Sequence, residues 1–220
     1  MQITGAITIV LADDHLIVRQ GLRALLQAET DFEVIGETGD GLKAVELVKK
    51  SSPDVAVLDL MMPGLNGIDV ARQLSKLVPR TKLIILSMYD DEGFVLEALS
   101  NGVSGYVLKD TGSADLINAV REVMRGHRYL SASLSDRAID NYEHMSKSGV
   151  KDLYETLTTR EREVLHLSSE GLTNNRIALR LGISVRTAET HRAHVMNKLG
   201  IHTQADLTRY AIRRGIISIE

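Results

Sequence analysis

The chain has 220 residues, of which 44% are hydrophobic and 25% charged, and its net charge is −3. These values exclude a disordered chain and leave room for two domains, each with its own core. Because the sequence has no cysteine, disulfide bonds, thiolate zinc sites and cysteine nucleophiles are excluded. No apolar stretch approaches the roughly 20 residues that cross a bilayer, and the N-terminal residues lack the basic segment of a signal peptide. We therefore expect a cytoplasmic protein with no membrane partner.

The first 126 residues alternate between short aliphatic segments and segments with helical periodicity. Five strands are predicted, at Ile7–Ala12, Phe32–Glu37, Val55–Asp59, Lys82–Ser87 and Gly105–Leu108. The predicted helices are His15–Ala28, Leu42–Lys50, Ile68–Leu77, Glu92–Ser100 and Ala114–Arg125. Five β–α units with nearly continuous apolar strands predict an α/β domain, in which a parallel sheet is covered by helices on both faces. The flavodoxin-like strand order 2-1-3-4-5 fits this count.

The rest of the chain differs in composition and in charge. Residues 127–152 are rich in Ser, Asp, Lys and His, and predict a linker with one short helix at about Ser135–Met145. Four helices are predicted after it, at Thr159–Ser169, Asn174–Leu181, Val185–Leu199 and Thr203–Arg214. Residues 1–152 contain 16 Lys and Arg against 22 Asp and Glu, whereas residues 153–220 contain 10 against 7. We therefore predict an acidic α/β domain at 5–126 and a basic all-α domain at 153–220, the second suited to a polyanionic partner.

Polar residues mark the carboxyl ends of four predicted strands. Asp13 and Asp14 follow the first strand, Asp59 ends the third, Ser87 ends the fourth and Lys109 follows the fifth. Ligands of open α/β sheets bind at this edge. Three crowded carboxylates repel one another unless a hard cation neutralises them, and oxygen ligands suit Mg²⁺. A hydroxyl and an ammonium group beside that cation could hold the oxygens of a phosphoryl group.

These residues, together with the motif Val57-Leu58-Asp59-Leu60-Met61-Met62-Pro63-Gly64-Leu65-Asn66-Gly67, resemble the receiver domain of two-component response regulators over about residues 5–126. The resemblance implies that Asp59 is the phosphoryl acceptor. It also implies a Mg²⁺ site formed by the carboxylates of Asp13, Asp14 and Asp59 and the backbone carbonyl of Met61.

The resemblance assigns roles to three further residues. Ser87 and Lys109 are expected to bind the phosphoryl oxygens. Tyr106 matches the aromatic switch residue, and we expect it to rotate from an outward to an inward position when Ser87 moves toward the phosphoryl group. One residue departs from the family pattern, because Asp110 stands where many receivers have a cis proline after the lysine.

The second half has the spacing of a helix-turn-helix and resembles the LuxR-type DNA-binding domain of the NarL/FixJ response regulators over about residues 153–217. The matching stretches include Leu157-Thr158-Thr159-Arg160-Glu161-Arg162-Glu163-Val164-Leu165 and Ser184-Val185-Arg186-Thr187-Ala188-Glu189-Thr190-His191-Arg192. A helical wheel that places Ala188, Val195 and Leu199 in the core predicts the DNA-facing side chains of the third helix. These are Arg186, Glu189, Thr190, Ala193 and Asn197.

Other polar residues of this half are expected to contact the DNA backbone. Thr187 and Lys198 lie at the two ends of the third helix. Thr173, Asn174 and Asn175 begin the helix before it, whose N-terminus can hold a phosphate. Domains of this type usually act as two-fold pairs, so we expect a homodimer when the protein is phosphorylated or bound to DNA, with Thr203–Arg214 as the candidate contact.

The combined interpretation is a DNA-binding transcriptional response regulator that is not an enzyme. Its partners would be a sensor histidine kinase and double-stranded promoter DNA. An alternative keeps the fold but makes DNA binding independent of phosphorylation. A second alternative is a nicotinamide-dependent oxidoreductase, since Gly39-Asp40-Gly41-Leu42-Lys43-Ala44 fits a dinucleotide-binding pattern, but this motif follows the second strand where the pattern requires the first. His191 and His194 lack the partners of a metal site.

Overall fold

The computed structural model describes residues 5–134 and 153–217. The first domain contains a parallel sheet with the strand order β2-β1-β3-β4-β5-β6. The strands are β1 (Ile7–Ala12), β2 (Phe32–Thr38), β3 (Val55–Asp59), β4 (Lys82–Ser87), β5 (Gly105–Leu108) and β6 (Tyr129–Leu130). The helices are α1 (Leu16–Gln27), α2 (Gly41–Ser51), α3 (Gly67–Leu77), α4 (Glu92–Ser100) and α5 (Ser113–Met124). The predicted fold class and the order of the first five strands are confirmed.

The sixth strand is the one difference in this sheet. Tyr129–Leu130 pairs with β5 in a segment for which the sequence predicts only a linker. Two residues are too short to produce a strand pattern, and side-chain contacts stabilise the pairing, because Ser131 and Tyr129 both donate hydrogen bonds to Asp115 on α5. The helix predicted at Ser135–Met145 lies outside the described residues.

Two apolar layers enclose the sheet and fix its carboxyl edge. One layer packs α2, α3 and α4 against one face, and the other packs α1 and α5 against the opposite face. The parallel register pairs Ala12 with Leu58, Asp59 with Leu86 and Ser87 with Leu108. Strands β1, β3, β4 and β5 therefore end at the same edge, which places the polar residues after each strand beside one another.

The second described domain is helical. A 3₁₀ helix (Leu153–Thr156) is followed by α6 (Thr159–Ser169), α7 (Asn174–Leu181), α8 (Val185–Leu199) and α9 (Gln204–Arg213). Thr158 and Glu161 form a capping box at the start of α6, and Ser184 and Thr203 also cap their helices. Thr173 stands before α7 as expected, but its side chain makes no capping hydrogen bond. No helix in the two described ranges is long and apolar enough to cross a membrane.

The two domains pack against each other through a buried charged cluster, called here the docking cluster and formed by Asp69, Tyr154 and Arg162. Asp69 on α3 accepts hydrogen bonds from the Tyr154 hydroxyl and, at 3.1 Å, from Arg162 Nη1. The Arg162 guanidinium also lies 4.4 Å from the centre of the Tyr154 ring. All three residues are at most 4% exposed. A carboxylate of one domain is therefore neutralised by a cation of the other.

Candidate functional site

An acidic pocket lies at the carboxyl edge of the sheet, where Lys109 links two carboxylates. Its Nζ atom is 2.8 Å from Asp13 Oδ2 and 2.9 Å from Asp59 Oδ2. Asp13 and Asp59 are 1% and 5% exposed, so this contact is largely shielded from water. The described residues contain no cis peptide bond, and Lys109 reaches both carboxylates although Asp110 replaces the proline of many receivers.

Burial and charge act in opposite directions on these groups. Burial raises the pKa of Asp59 to about 6, with a smaller contribution from Asp13 and Asp14, while Lys109 opposes the shift. Burial alone would lower the pKa of Lys109, but the nearby Asp59 and Asp13 carboxylates raise it above its ordinary value. Lys109 is therefore a permanent cation that compensates only part of the negative charge in the pocket.

The remaining charge suits a hard divalent cation. Asp13, Asp14, His15 and Asp59 each offer a ligand atom, and these atoms all lie within 4.8 Å of one another. His15 Nδ1 is 2.6 Å from Asp14 Oδ1 on the outer side of the group, where the His15 side chain is 69% exposed. Mg²⁺ prefers oxygen ligands, and the three carboxylates with the carbonyl of the following loop fit that preference. Met61, the residue expected to supply the carbonyl, lies in the loop between β3 and α3.

Behind the pocket, Ser87 and Tyr106 are completely buried. Ser87 Oγ accepts a hydrogen bond from the Tyr89 amide at 2.9 Å, and the Tyr106 hydroxyl donates to the Tyr89 carbonyl at 2.9 Å. Burial raises the pKa of Tyr106 to about 12. Tyr106 is thus in the inward position in this structure, and the apolar layer around β5 accommodates its ring. The rotation of Tyr106 on phosphorylation stays a prediction.

The second domain contributes residues to the rim of this pocket, and none of them was predicted from the sequence. A cleft of about 450 Å³ is bounded by Asp14 and Met61 on one side and by His166 and Glu170 on the other. Glu170 Oε1 accepts a hydrogen bond from the Gly64 amide at 2.8 Å. Burial alone would raise the pKa of Glu170, but the hydrogen bonds from His166 and Gly64 lower it. No local sequence pattern predicts this contact, because the two partners are 106 residues apart.

Glycines of the rival dinucleotide motif have a packing role. Gly41 begins α2 where a Cβ atom would lie 1.9 Å from the Leu65 carbonyl oxygen. β2, the strand that precedes this motif, lies at the edge of the sheet. A dinucleotide-binding fold requires the motif after its first strand. Gly41 therefore allows α2 to approach the loop after β3.

The helix-turn-helix presents a continuous polar surface. α7, a turn at Gly182 and α8 have the predicted bounds, and Ala188, Val195 and Leu199 are buried as the helical wheel predicts. Exposed side chains on and beside this surface are Thr173, Asn175, Arg186, Thr187, Glu189, Thr190, Ala193, Asn197 and Lys198, while Asn174 is partly buried. The receiver-like domain does not cover these residues, so the DNA-facing side of α8 is open.

Several of these polar side chains already have partners. Lys198 Nζ is 2.7 Å from Glu161 Oε2 and donates to the Thr156 carbonyl at 3.1 Å. Arg192 donates hydrogen bonds to Asn174 Oδ1 at 3.2 Å and to Gln204 Oε1 at 2.5 Å. Both side chains therefore connect elements within the domain. These contacts involve residues outside α8, and a helical wheel of α8 alone cannot predict them.

Comparison with known proteins identifies a family for each half of the chain. The family model of the response regulator receiver domain matches residues 9–121, and that of the luxR family of bacterial regulatory proteins matches residues 155–211. The oxygen regulatory protein NreC of Staphylococcus haemolyticus is 37% identical over 213 residues, which cover 95% of this chain and 98% of that protein.

Solved structures give the same result. A LuxR-family two-component response regulator from Aurantimonas sp. SI85-9A1 is 31% identical with a TM-score of 0.60, over 63% of this chain and 99% of the other. The response regulator RcsB in complex with DNA is 28% identical with a TM-score of 0.59, over 94% of this chain and 98% of RcsB. Both are response regulators, and the second is bound to DNA. The chain therefore belongs to the two-component response regulators in which a receiver domain is followed by a LuxR-type DNA-binding domain.

Proposed function

We propose that a sensor histidine kinase phosphorylates Asp59 and that this modification controls binding of the LuxR-type domain to promoter DNA. The observation that carries the proposal is the contact of Lys109 with both Asp13 and Asp59 at 2.8 and 2.9 Å in a buried pocket. A buried carboxylate beside a fixed cation is prepared to receive a group whose oxygens the same cation can bind.

The residues of the pocket have distinct chemical roles in this proposal. An Asp59 carboxylate oxygen attacks the phosphorus of the kinase phosphohistidine, so that a P–O bond forms and the P–N bond breaks. The imidazole leaves in its neutral form, with the proton that its other ring nitrogen already held or that water supplies. Lys109 and the hydroxyl of Ser87 hold the phosphoryl oxygens. Asp13, Asp14, Asp59 and the Met61 carbonyl would hold Mg²⁺, which when bound neutralises the charge of the incoming group.

For DNA, the open face of α8 supports major-groove binding. Arg186, Glu189, Thr190, Ala193 and Asn197 are exposed on this face and would contact base edges. Thr187 and the N-terminus of α7 would contact phosphates. A chain that binds promoter DNA and is phosphorylated by a sensor kinase is consistent with a cytoplasmic location.

A homodimer would place two α8 helices on two half-sites. The candidate contact helix, α9, has Leu207 and Ala211 in its own core, while Ala205 and Arg209 are exposed. The exposed side of this helix is therefore largely polar, and Arg209 lies 3.5 Å from Asp206. This favours a polar contact between two DNA-bound domains over a large apolar interface. Avidity from two such domains raises affinity without any new base contact.

The assignment of Asp59 is tested by labelling with acetyl phosphate and Mg²⁺, followed by intact mass. We expect one added phosphoryl group on the native chain and none on Asp59→Asn, because an amide is a poor nucleophile. Asp54→Asn is the matched control, since Asp54 lies at the opposite end of β3 and bonds to Thr8. A phosphoryl group on Asp59→Asn, or its loss from Asp54→Asn, would contradict the assignment.

A further inference from the structure

The strand that brings Lys109 to the acidic pocket is anchored on both sides. β5 ends at Leu108, and Lys109 is the next residue. On the side of β4, the Lys109 amide donates to the Ser87 carbonyl at 2.8 Å. On the side of β6, the Leu108 amide donates to Ser131 Oγ at 3.0 Å, and the Ser131 amide donates to the Tyr106 carbonyl at 3.1 Å. Ser131 is completely buried, so these anchors are shielded from water.

The carboxylate of Asp115, in the first turn of α5, connects the anchors on the β6 side. Ser131 Oγ donates to Asp115 Oδ2 at 2.5 Å, and the Tyr129 hydroxyl donates to Oδ1. The Thr111 hydroxyl lies 2.7 Å from Asp115 Oδ2 and 2.7 Å from the Leu108 carbonyl, and its one proton is shared between the two acceptors. Burial would raise the pKa of Asp115, but these hydroxyl hydrogen bonds lower it below its ordinary value.

The peptide group between Leu108 and Lys109 is thereby held at both ends. Its N–H group bonds to β4, and its carbonyl oxygen lies within reach of the Thr111 hydroxyl. A lysine side chain is a flexible four-carbon stem, so the direction in which the stem leaves the backbone decides how well the ammonium group reaches its partners. In this chain those partners are Asp13 and Asp59, at 2.8 and 2.9 Å.

We propose that Asp115 is a positioning residue for Lys109, because it fixes the backbone from which the ammonium group reaches Asp59 and would reach a phosphoryl group bound there. Many receivers have a proline after the lysine, and a proline restricts the backbone at that point. Asp110 stands there in this chain, and the hydrogen bonds centred on Asp115 supply a restraint instead. The inference rests on the proposed phosphorylation of Asp59.

The test uses fluorine NMR of beryllofluoride, a phosphoryl mimic, bound to the full chain with Mg²⁺. The bound fluorine atoms lie where phosphoryl oxygens would, so the resonance of the fluorine beside Lys109 reports the position of the ammonium group. In Asp115→Ala we expect this resonance to shift and the affinity to fall about threefold to tenfold, the range of one weakened hydrogen bond. Asp115→Asn keeps a carbonyl oxygen that can accept from both Thr111 and Ser131. We therefore expect native resonances in Asp115→Asn and an affinity within about twofold of the native chain.

Tyr129→Phe is the matched control, because it removes the hydrogen bond to Asp115 Oδ1 and leaves Oδ2 to the other two hydroxyl groups. We expect it to lower thermal stability while the resonances and the affinity stay native. Ser131→Ala removes the acceptor of the Leu108 amide and should reproduce the effect of Asp115→Ala. It decides the test if Asp115→Ala does not fold.

Three results would overturn the inference. These are native resonances and affinity in the variants that lack the Asp115 carboxylate or the Ser131 hydroxyl, equal changes in Asp115→Ala and Tyr129→Phe, and equal changes in Asp115→Ala and Asp115→Asn. The last result would assign the effect to charge and not to positioning. Absence of beryllofluoride binding by the native chain would instead overturn the proposed acceptor site, and the inference with it.

Discussion

At the scale of single residues, Asp69 shows how the two domains recognise each other. Its carboxylate is 3% exposed and is compensated by Arg162 and Tyr154 of the other domain. Burying a charged pair costs desolvation free energy. The attraction between the two partners offsets this cost only while they are in contact. Asp69 therefore couples the two domains, because opening the contact would leave Arg162 with only Glu155 of its own domain, at 3.4 Å, as a counter-charge.

Removal of this carboxylate should separate the domains. Removing one partner of a buried ion pair costs about 3–5 kcal/mol, and in Asp69→Ala we expect Arg162 to reduce this cost by moving into water as the interface opens. Small-angle X-ray scattering should show a larger radius of gyration. Asp31→Ala is the control, because it removes an arginine pair that lies within the receiver and is partly exposed. If Asp69→Ala kept the native radius, the docking cluster would not hold the domains together.

At the scale of elements, the end of α9 meets the receiver at α4. Gly215 follows this helix with a φ of +64°, and a Cβ atom there would lie 2.2 Å from Phe94 Cζ. Phe94 packs edge-on against Tyr89 at a centroid distance of 5.9 Å, and the Tyr89 carbonyl accepts the Tyr106 hydroxyl. A chain of contacts thus leads from the buried switch candidate Tyr106 to the end of α9.

Substitution at Gly215 should loosen this contact. Gly182 has the same φ of +64° after α7, but nothing lies within 4 Å of its Cβ position. We expect Gly182→Ala to cost about 1 kcal/mol through backbone strain alone. Gly215→Ala should cost more and should also increase hydrogen exchange in α4, since Phe94 must move. Equal stability and equal α4 exchange in the two variants would show that Phe94 does not transmit the contact.

The recognition helix α8 permits a comparison of two cations. Arg186 is exposed on the DNA-facing side, whereas Lys198 is already bound to Glu161 and to the Thr156 carbonyl. We expect Arg186→Ala to weaken binding to the preferred sequence by about 1–3 kcal/mol and to relax discrimination at one base pair, because this side chain is proposed to contact a base edge. Lys198→Ala should leave both the discrimination and the slope of affinity against salt nearly unchanged and reduce domain stability instead. A fall of the slope by about 1 in Lys198→Ala, measured by fluorescence anisotropy at several salt concentrations, would support the phosphate contact expected for Lys198.

Most elements could be predicted from the sequence because each carries a local pattern. The strands of the receiver are short apolar runs that end in a polar residue, and the helices of the second domain have caps such as Thr158 and Ser184. Parallel strands bring their carboxyl ends together, so Asp13, Asp59 and Lys109 could be placed in one pocket without coordinates. The docking contacts could not be predicted in this way, because Asp69 and Arg162 are 93 residues apart and each resembles a solvated charge in its own helix.

At the scale of the whole molecule, the docked domains cover the rim of the acidic pocket and leave the DNA-facing side of α8 open. Because the described residues of the receiver leave that side exposed, we do not expect phosphorylation to act by unmasking it. We expect it to raise DNA affinity by changing the docked rim and by favouring a dimer, whose avidity adds to the binding of each domain. The added phosphoryl group brings a charge of about −1.5 to −2 into a pocket that is already acidic.

The most direct test compares DNA affinity with and without beryllofluoride, which mimics the phosphoryl group on an aspartate. The DNA is a fragment enriched from a genomic pool by the beryllofluoride-treated native chain, and binding is followed by fluorescence anisotropy in the presence of Mg²⁺. We predict that beryllofluoride tightens binding of the native chain by at least about fivefold and has no effect on Asp59→Asn. Equal affinity of the native chain under both conditions would contradict the account and would support DNA binding that is independent of phosphorylation.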